Sequence, residues 1–222
     1  MSHQTFIDKL NSYRYEFLLT ALLVLIFDKI FFPDNAFYLK YVWLFNMLLI
    51  AVASFGIFLN RSLHLRRFRN IMSLTAVLMP VGFVFLNTQN WFIQFLTLFF
   101  IVYYSSLFVE VMIQIISIKE VRLNVVIGSF CGYLLLSMIA LFAYVLIEFN
   151  YPNSFHGLTQ GNVALAYNEL SYFSFITLTS IGFGDIYPIT DMSRLTTAFF
   201  GMLGQFYMVA VVGIIISKFT SK

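Results

Sequence analysis

Thr177-Leu-Thr-Ser-Ile-Gly-Phe-Gly-Asp185, followed by Ile186-Tyr187-Pro188, is the stretch on which the fold turns. Gly182 and Gly184 alternate with residues that carry a Cβ. Glycine at alternate positions supplies backbone dihedrals that other residues avoid, which is what a segment needs if all its carbonyls are to point one way. The ordinary setting of Gly-Phe-Gly-Asp is a surface turn. Here the stretch lies between two long apolar spans, from about Leu123 to Ile147 and from about Leu195 to Ser217. A turn between soluble elements does not require that. Ahead of it, Asn150–Asn162 is a polar loop rich in turn formers. Ala164–Thr179 then predicts a helix too brief to cross a bilayer, with aromatic Tyr167, Tyr172, Phe173 and Phe175.

Composition sets the solvent. Of 222 residues, 60% are hydrophobic and 10% charged, with mean hydropathy +0.86; soluble domains carry about 25% charged residues. The expectation is an all-α integral membrane protein. The 28 phenylalanines suit lipid-facing and interhelical surfaces better than a catalytic pocket. The single cysteine, Cys131, allows no intrachain disulfide and no C-x-x-C metal site, and it is expected to be buried and inert. The N-terminus has no short apolar core with a small-residue cleavage site, so no removable signal peptide is expected. His3, His64 and His156 lie outside the spans, and no Ser-His-Asp or H-E-x-x-H arrangement occurs, so an enzyme is not expected. No cofactor is implied.

A crossing helix needs about 20 mostly apolar residues. Upstream spans are expected from about Phe17 to Phe32, Tyr38 to Leu59, Ile71 to Leu86 and Trp91 to Ile118. Asp28-Lys29 near the end of the first is read as an interfacial pair reaching the headgroups. Asn60–Arg69 is read as a short basic loop, against anionic lipid rather than nucleic acid. Pro80 and Gly82 predict a kink in the third span. Glu110 in the fourth is either a functional acid or an inner-interface residue, and the two readings stand side by side. With six spans, Lys9, Arg14, Arg61, Arg66, Arg67, Arg69, Lys119, Arg122, Lys218 and Lys222 fall on one side, against Lys29, Lys40 and Arg194 on the other. That bias predicts a multi-pass protein of the cell membrane with both termini cytoplasmic and the 177–185 stretch facing outward.

The stretch resembles the selectivity filter of potassium channels, T-x-T-T-V-G-Y-G-D, with Ser180 for a threonine and Phe183 for the tyrosine. The resemblance runs from about Leu123 to Phe219 and implies an outer helix, a pore helix, a filter and an inner helix. It implies a re-entrant pore helix and filter between the fifth and sixth transmembrane helices. The domain division that follows is a four-helix module over residues 1–122 and a pore domain over 123–222. The resemblance implies ion-binding by Thr179, Ser180, Ile181, Gly182, Phe183 and Gly184. Carbonyls of Ser180, Ile181, Gly182 and Phe183 bound successive K+ sites, and the Ser180 hydroxyl completes the innermost. Tyr172 and Phe173 fall where the family braces the filter, and Asp185 lies just above it as scaffold. Ile176 stands where some members carry a buried glutamate.

Gly204, twenty residues after Gly184, falls where many members place a hinge glycine; a small residue for close helix packing is the alternative. Gln205 is expected to face the cavity, with Met208, Val212 and Ile216 further along the same face as cavity or gate lining. One filter per chain implies a homotetramer in the lipid bilayer, with K+ as the permeant ligand and no nucleic acid. The first four helices resemble a voltage-sensor module in number only, since Trp91–Val109 contains no basic residue. Conventional voltage gating is not expected, nor is a ligand-binding domain after Phe219. The alternatives are a weakly selective monovalent cation channel, because Phe183 lacks the tyrosine hydroxyl, and a proton-coupled carrier using Glu110 or Asp28.

Overall fold

The computed structural model describes residues 13–32, 37–57, 63–86, 90–117, 123–159 and 163–220, which are mostly helical. Seven α-helices lie among them. They are α1 (Arg14–Phe27), α2 (Trp43–Ile57), α3 (Leu63–Leu86), α4 (Asn90–Ser117), α5 (Leu123–Asn150), α6 (Val163–Leu178) and α7 (Asp191–Thr220). A 3₁₀ turn at Asp28–Ile30 extends α1, and a π turn at Tyr38–Val42 leads into α2. Among the described residues, Trp91–Ser117 and Leu123–Asn150 are long and apolar enough to cross a membrane; Trp43–Ser54 and Asn70–Phe83 are shorter apolar stretches.

One boundary differs from the sequence expectation. Residues 63–69, read as loop, form the opening turns of α3. Leucine and arginine are strong helix formers and no Gly or Pro interrupts them, so local propensity outweighs their charge. Helix α3 runs through Pro80 to Leu86, the end expected for the third span. Asn60, Arg61, Lys119 and Arg122 lie outside the described residues, as do the side chains of Arg66 and Arg69.

The chain divides into two compact units: residues 1–88 with 106–132, and residues 89–105 with 133–222. In the first, α1 packs on α2 and α2 on α3. Tyr15, Leu18, Leu22 and Leu25 recur at helical spacing and form the buried face of α1. The hydroxyls of Ser54 and Ser73 share a hydrogen bond of 2.9 Å across α2 and α3. Asp28, expected to form an interfacial pair with Lys29, is held inside the protein. It is 7% exposed, and its carboxylate accepts from the Tyr38 hydroxyl at 3.0 Å and the Asn46 amide at 2.6 Å. Lys29 places its ammonium 4.8 Å from the Tyr38 ring centroid. A buried carboxylate is expensive unless hydrogen-bonded, and these donors meet that demand. Glu110 is also buried and accepts from the Gln114 amide at 2.8 Å; that amide also donates to the Ile57 carbonyl, while its oxygen accepts from Tyr15. Cys131 is buried and donates to the Tyr15 carbonyl.

In the second unit, α5, α6 and α7 meet around Tyr144. Its ring lies 5.4 Å from Phe155, 5.3 Å from Phe173 and 5.8 Å from Phe200, centroid to centroid. Edge-on and tilted aromatic contacts at these distances are favourable beyond the area they bury. The cluster fixes α6 against α5 and α7, and thereby fixes the segment that follows α6.

Candidate functional site

Helix α6 stops at Leu178 without a glycine. Its end is a Schellman motif: the Ser180 amide donates to the Thr177 carbonyl at 3.1 Å, and the Ile181 amide to the Ile176 carbonyl at 2.9 Å. The Gly182 amide reaches the same Ile176 carbonyl at 3.2 Å. The motif requires a left-handed residue at its turning point, and Ser180 takes that role with φ +58°. Glycine usually fills this position because a Cβ costs about 1–2 kcal/mol there.

The left-handed conformation then recurs at alternate residues. Gly182 has φ +55° and Gly184 +82°, while Ile181 and Phe183 keep negative φ. Residues that alternate in handedness turn successive amides to one side and carbonyls to the other. A Cβ built on Gly182 or Gly184 meets nothing within 4 Å, so the backbone angle, not space, demands glycine. Residues 179–185 are exposed on the chain, including the large apolar side chains of Ile181 and Phe183, 56% and 71% exposed.

Both ends of the stretch are held. Thr179 turns its hydroxyl back to the Phe175 carbonyl at 2.7 Å. Ser180 instead receives the Gln205 side-chain amide of α7, with Nε2 2.5 Å from Oγ. Next to Gln205, Gly204 lies against α6: a Cβ there would sit 2.7 Å from the Leu178 carbonyl oxygen and 3.0 Å from its Cα. Sequence reasoning offered a hinge or close packing for Gly204; the geometry supplies a close approach.

Beyond Asp185, β2 (Tyr187–Pro188) pairs antiparallel with β1 (Phe155–His156), in the register Phe155↔Pro188 and His156↔Tyr187. The His156 and Tyr187 rings stack 4.6 Å apart. Gly157, with φ +86°, admits the Asp185 carbonyl to a point 2.3 Å from where its Cβ would be. The Glu148 carboxylate, at the end of α5, accepts the amides of Asn153, Ser154 and Phe155 and so sets the loop that carries β1. The Ser193 hydroxyl of α7 donates to the Ser154 carbonyl at 2.8 Å. The Tyr172 phenol is held above its ordinary value by desolvation, then by a hydrogen bond to the Asp185 carboxylate and by that group's charge.

The structure therefore brings Ser180 to Gln205, Tyr172 to Asp185 and Gly204 to Leu178, and puts Phe173 in the Tyr144 cluster. Met208 is exposed on α7. The side chains of Val212 and Ile216 lie outside the described residues. Sequence reasoning passed over Glu148, Gly157 and Leu178. Only the turn-rich 150–162 segment hinted at the first two; a backbone contact such as Leu178 leaves no trace in side-chain chemistry. Among the described residues no group of His, Cys, Asp and Glu is arranged to hold a metal.

Residues 133–221 match a family model described as an ion channel, which spans less than half of the chain and covers the whole of the site. The match supports an ion channel domain there. No curated protein and no solved structure matches the chain.

Proposed function

We propose that the chain is the subunit of a homotetrameric, potassium-selective channel in which residues 179–184 of four copies line one pore. The observation that carries this reading is the positive φ at Ser180, Gly182 and Gly184 with negative φ between them. Four such strands around an axis present stacked rings of carbonyl oxygen, which replace the hydration shell of a cation without any charged group. Carbonyls of Ser180, Ile181, Gly182 and Phe183 bound the ion sites, the Ser180 hydroxyl closes the innermost, and Asp185 acts as scaffold above them. The negative end of the α6 dipole favours a cation below. Exposure of Ile181 and Phe183 on one chain fits a surface that other copies cover.

In this reading α1 to α5 and α7 cross the cell membrane and α6 re-enters it, with both termini cytoplasmic. Residues 1–122 are a four-helix module lacking a charged sensor, and 123–222 form the pore domain. Passive conduction, not catalysis, is the activity. The stretch Trp91–Val109 carries no basic residue to move in the field, so opening depends weakly on voltage. Gly204 seats α7 on the end of α6, any gating bend lies below it, and Met208, Val212 and Ile216 line the cavity and gate.

The test is the reversal potential of purified protein in planar bilayers with K+ on one side and Na+ on the other. A potential close to that of K+, with block by barium, is the expected result. Equal permeability of the two ions refutes potassium selectivity and leaves a weakly selective cation channel, for which the missing hydroxyl of Phe183 gives a reason. Saturating flux without unitary currents leaves a proton-coupled carrier.

A further inference from the structure

We infer that Gln205 is a positioning residue for the innermost cation site and acts through the Ser180 hydroxyl; the inference rests on the channel reading above. Two consecutive residues of α7 meet the base of the stretch. Gly204 has no side chain and lies against the Leu178 backbone, so α7 is held at a fixed distance from the end of α6. Gln205 therefore starts from a fixed point, and its Nε2 donates to Ser180 Oγ.

The backbone of Ser180 is already fixed by the Schellman hydrogen bonds and its left-handed φ. What stays free is rotation of the hydroxyl. A serine hydroxyl has one hydrogen and two lone pairs. Accepting the Gln205 amide uses one lone pair and turns the other, away from the amide, toward the pore. Without that donor the hydroxyl rotates among its wells, and in some of them its own hydrogen faces the cation path. The neighbouring Thr179 hydroxyl cannot substitute, because it is committed to the Phe175 carbonyl. Gln205 is exposed, so its second N–H and its Oε1 remain available to water shed by an entering ion.

Barium applied from the cytoplasmic side meets the innermost oxygen ring first, and its block of K+ current in reconstituted full-length channels is the probe. Gln205→Leu and Gln205→Met both remove the donor, and each is expected to weaken block about tenfold, the scale of one to two neutral hydrogen bonds. The same loss is expected in a Ser180→Thr background, which keeps a hydroxyl, and none in a Ser180→Ala background, which has none to orient. Equal loss in all three backgrounds would mean that Gln205 only makes the cavity polar, and would overturn the inference. So would no loss in the wild-type background. If neither donor-free channel assembles even with Ser180→Ala, Gln205 serves folding and the inference fails. Wild-type protein that passes no cation current removes the channel reading itself, a different failure from conducting channels in which the backgrounds agree.

Discussion

Alanine at position 204 sets two effects of known sign against each other. Inside a helix, alanine is better than glycine by about 1 kcal/mol. At Gly204 the new methyl would sit 2.7 Å from the Leu178 oxygen, 3.0 Å from its Cα and 3.2 Å from its carbonyl carbon. All three atoms are backbone, and Leu178 is held by the aromatic cluster around Phe173 and by the Schellman end of α6, so the neighbour cannot yield cheaply. Overpacking of this kind costs about 1–3 kcal/mol. The net is a loss of about 1 kcal/mol per chain, or about 2–4 °C in Tm for a chain of this size. Two glycines on the same helix calibrate the propensity term. Gly213 has nothing within 4 Å of its Cβ position, and Gly201 meets only Thr177 Cγ2 at an ordinary 3.8 Å. Melting of the purified protein should rank Gly213→Ala and Gly201→Ala at or above wild type and Gly204→Ala below it. Single-channel recording adds a second readout, because strain at Leu178 reaches Ser180 within two residues and should alter unitary conductance. A hinge alone predicts lower open probability with unchanged conductance and no loss of stability. A Gly204→Ala protein that melts as high as Gly213→Ala would refute the packing argument.

Gly182→Ala should keep the fold, since no atom lies within 4 Å of the added methyl. The left-handed φ of +55° costs about 1–2 kcal/mol with a Cβ, enough to collapse the carbonyl row; melting within a few degrees of wild type together with lost K+ flux is the expected pair. Asp28→Ala removes the buried acceptor of the Tyr38 hydroxyl and the Asn46 amide and should cost about 1–3 kcal/mol, read as a fall in the denaturation midpoint. Because the Tyr172 phenol titrates above its ordinary value near 10, the folded state keeps its proton to higher pH than the unfolded state. Its contribution is complete below pH 10 and is lost as pH rises through the folded value. Tyr172→Phe should therefore lower stability in the neutral range by that contribution and flatten the alkaline limb of a stability profile.

The helices over Trp91–Ser117 and Leu123–Asn150 were legible because apolar runs of membrane length announce themselves, and the two glycines at 182 and 184 because only glycine tolerates their backbone freely. Ser180 shows where that logic stops. No composition rule assigns a left-handed φ to serine; the hydrogen bonds to Thr177 and Ile176 impose it. The partners of Asp28 were hidden for a similar reason. Beside Lys29 in the sequence it resembles an interfacial pair, but its real partners, Tyr38 and Asn46, become neighbours only when α2 folds back along α1. The start of α3 at Leu63 is hard to see in the sequence because its basic residues mark a loop while their helix propensity is high. The β1–β2 pair is too short to carry an alternating pattern, and Glu148 acts on backbone amides that no sequence motif encodes. Gly204 was conspicuous as a small residue, yet the object it makes room for, the Leu178 backbone, belongs to another helix.

The left-handed serine places two selective demands on one residue. The helix terminus favours glycine or asparagine at 180, whereas the proposed oxygen-lined pore favours a hydroxyl, which among small side chains means serine or threonine. No residue satisfies both, so on the proposed reading the chain holds a locally unfavourable backbone at an ion site, as strained functional positions often do. A population of variants screened only for heat resistance should therefore drift toward glycine at 180, and one screened for conduction should drift back. Conflict of that kind is detectable without recording a current: it makes position 180 one at which gains in stability and losses in activity arrive together.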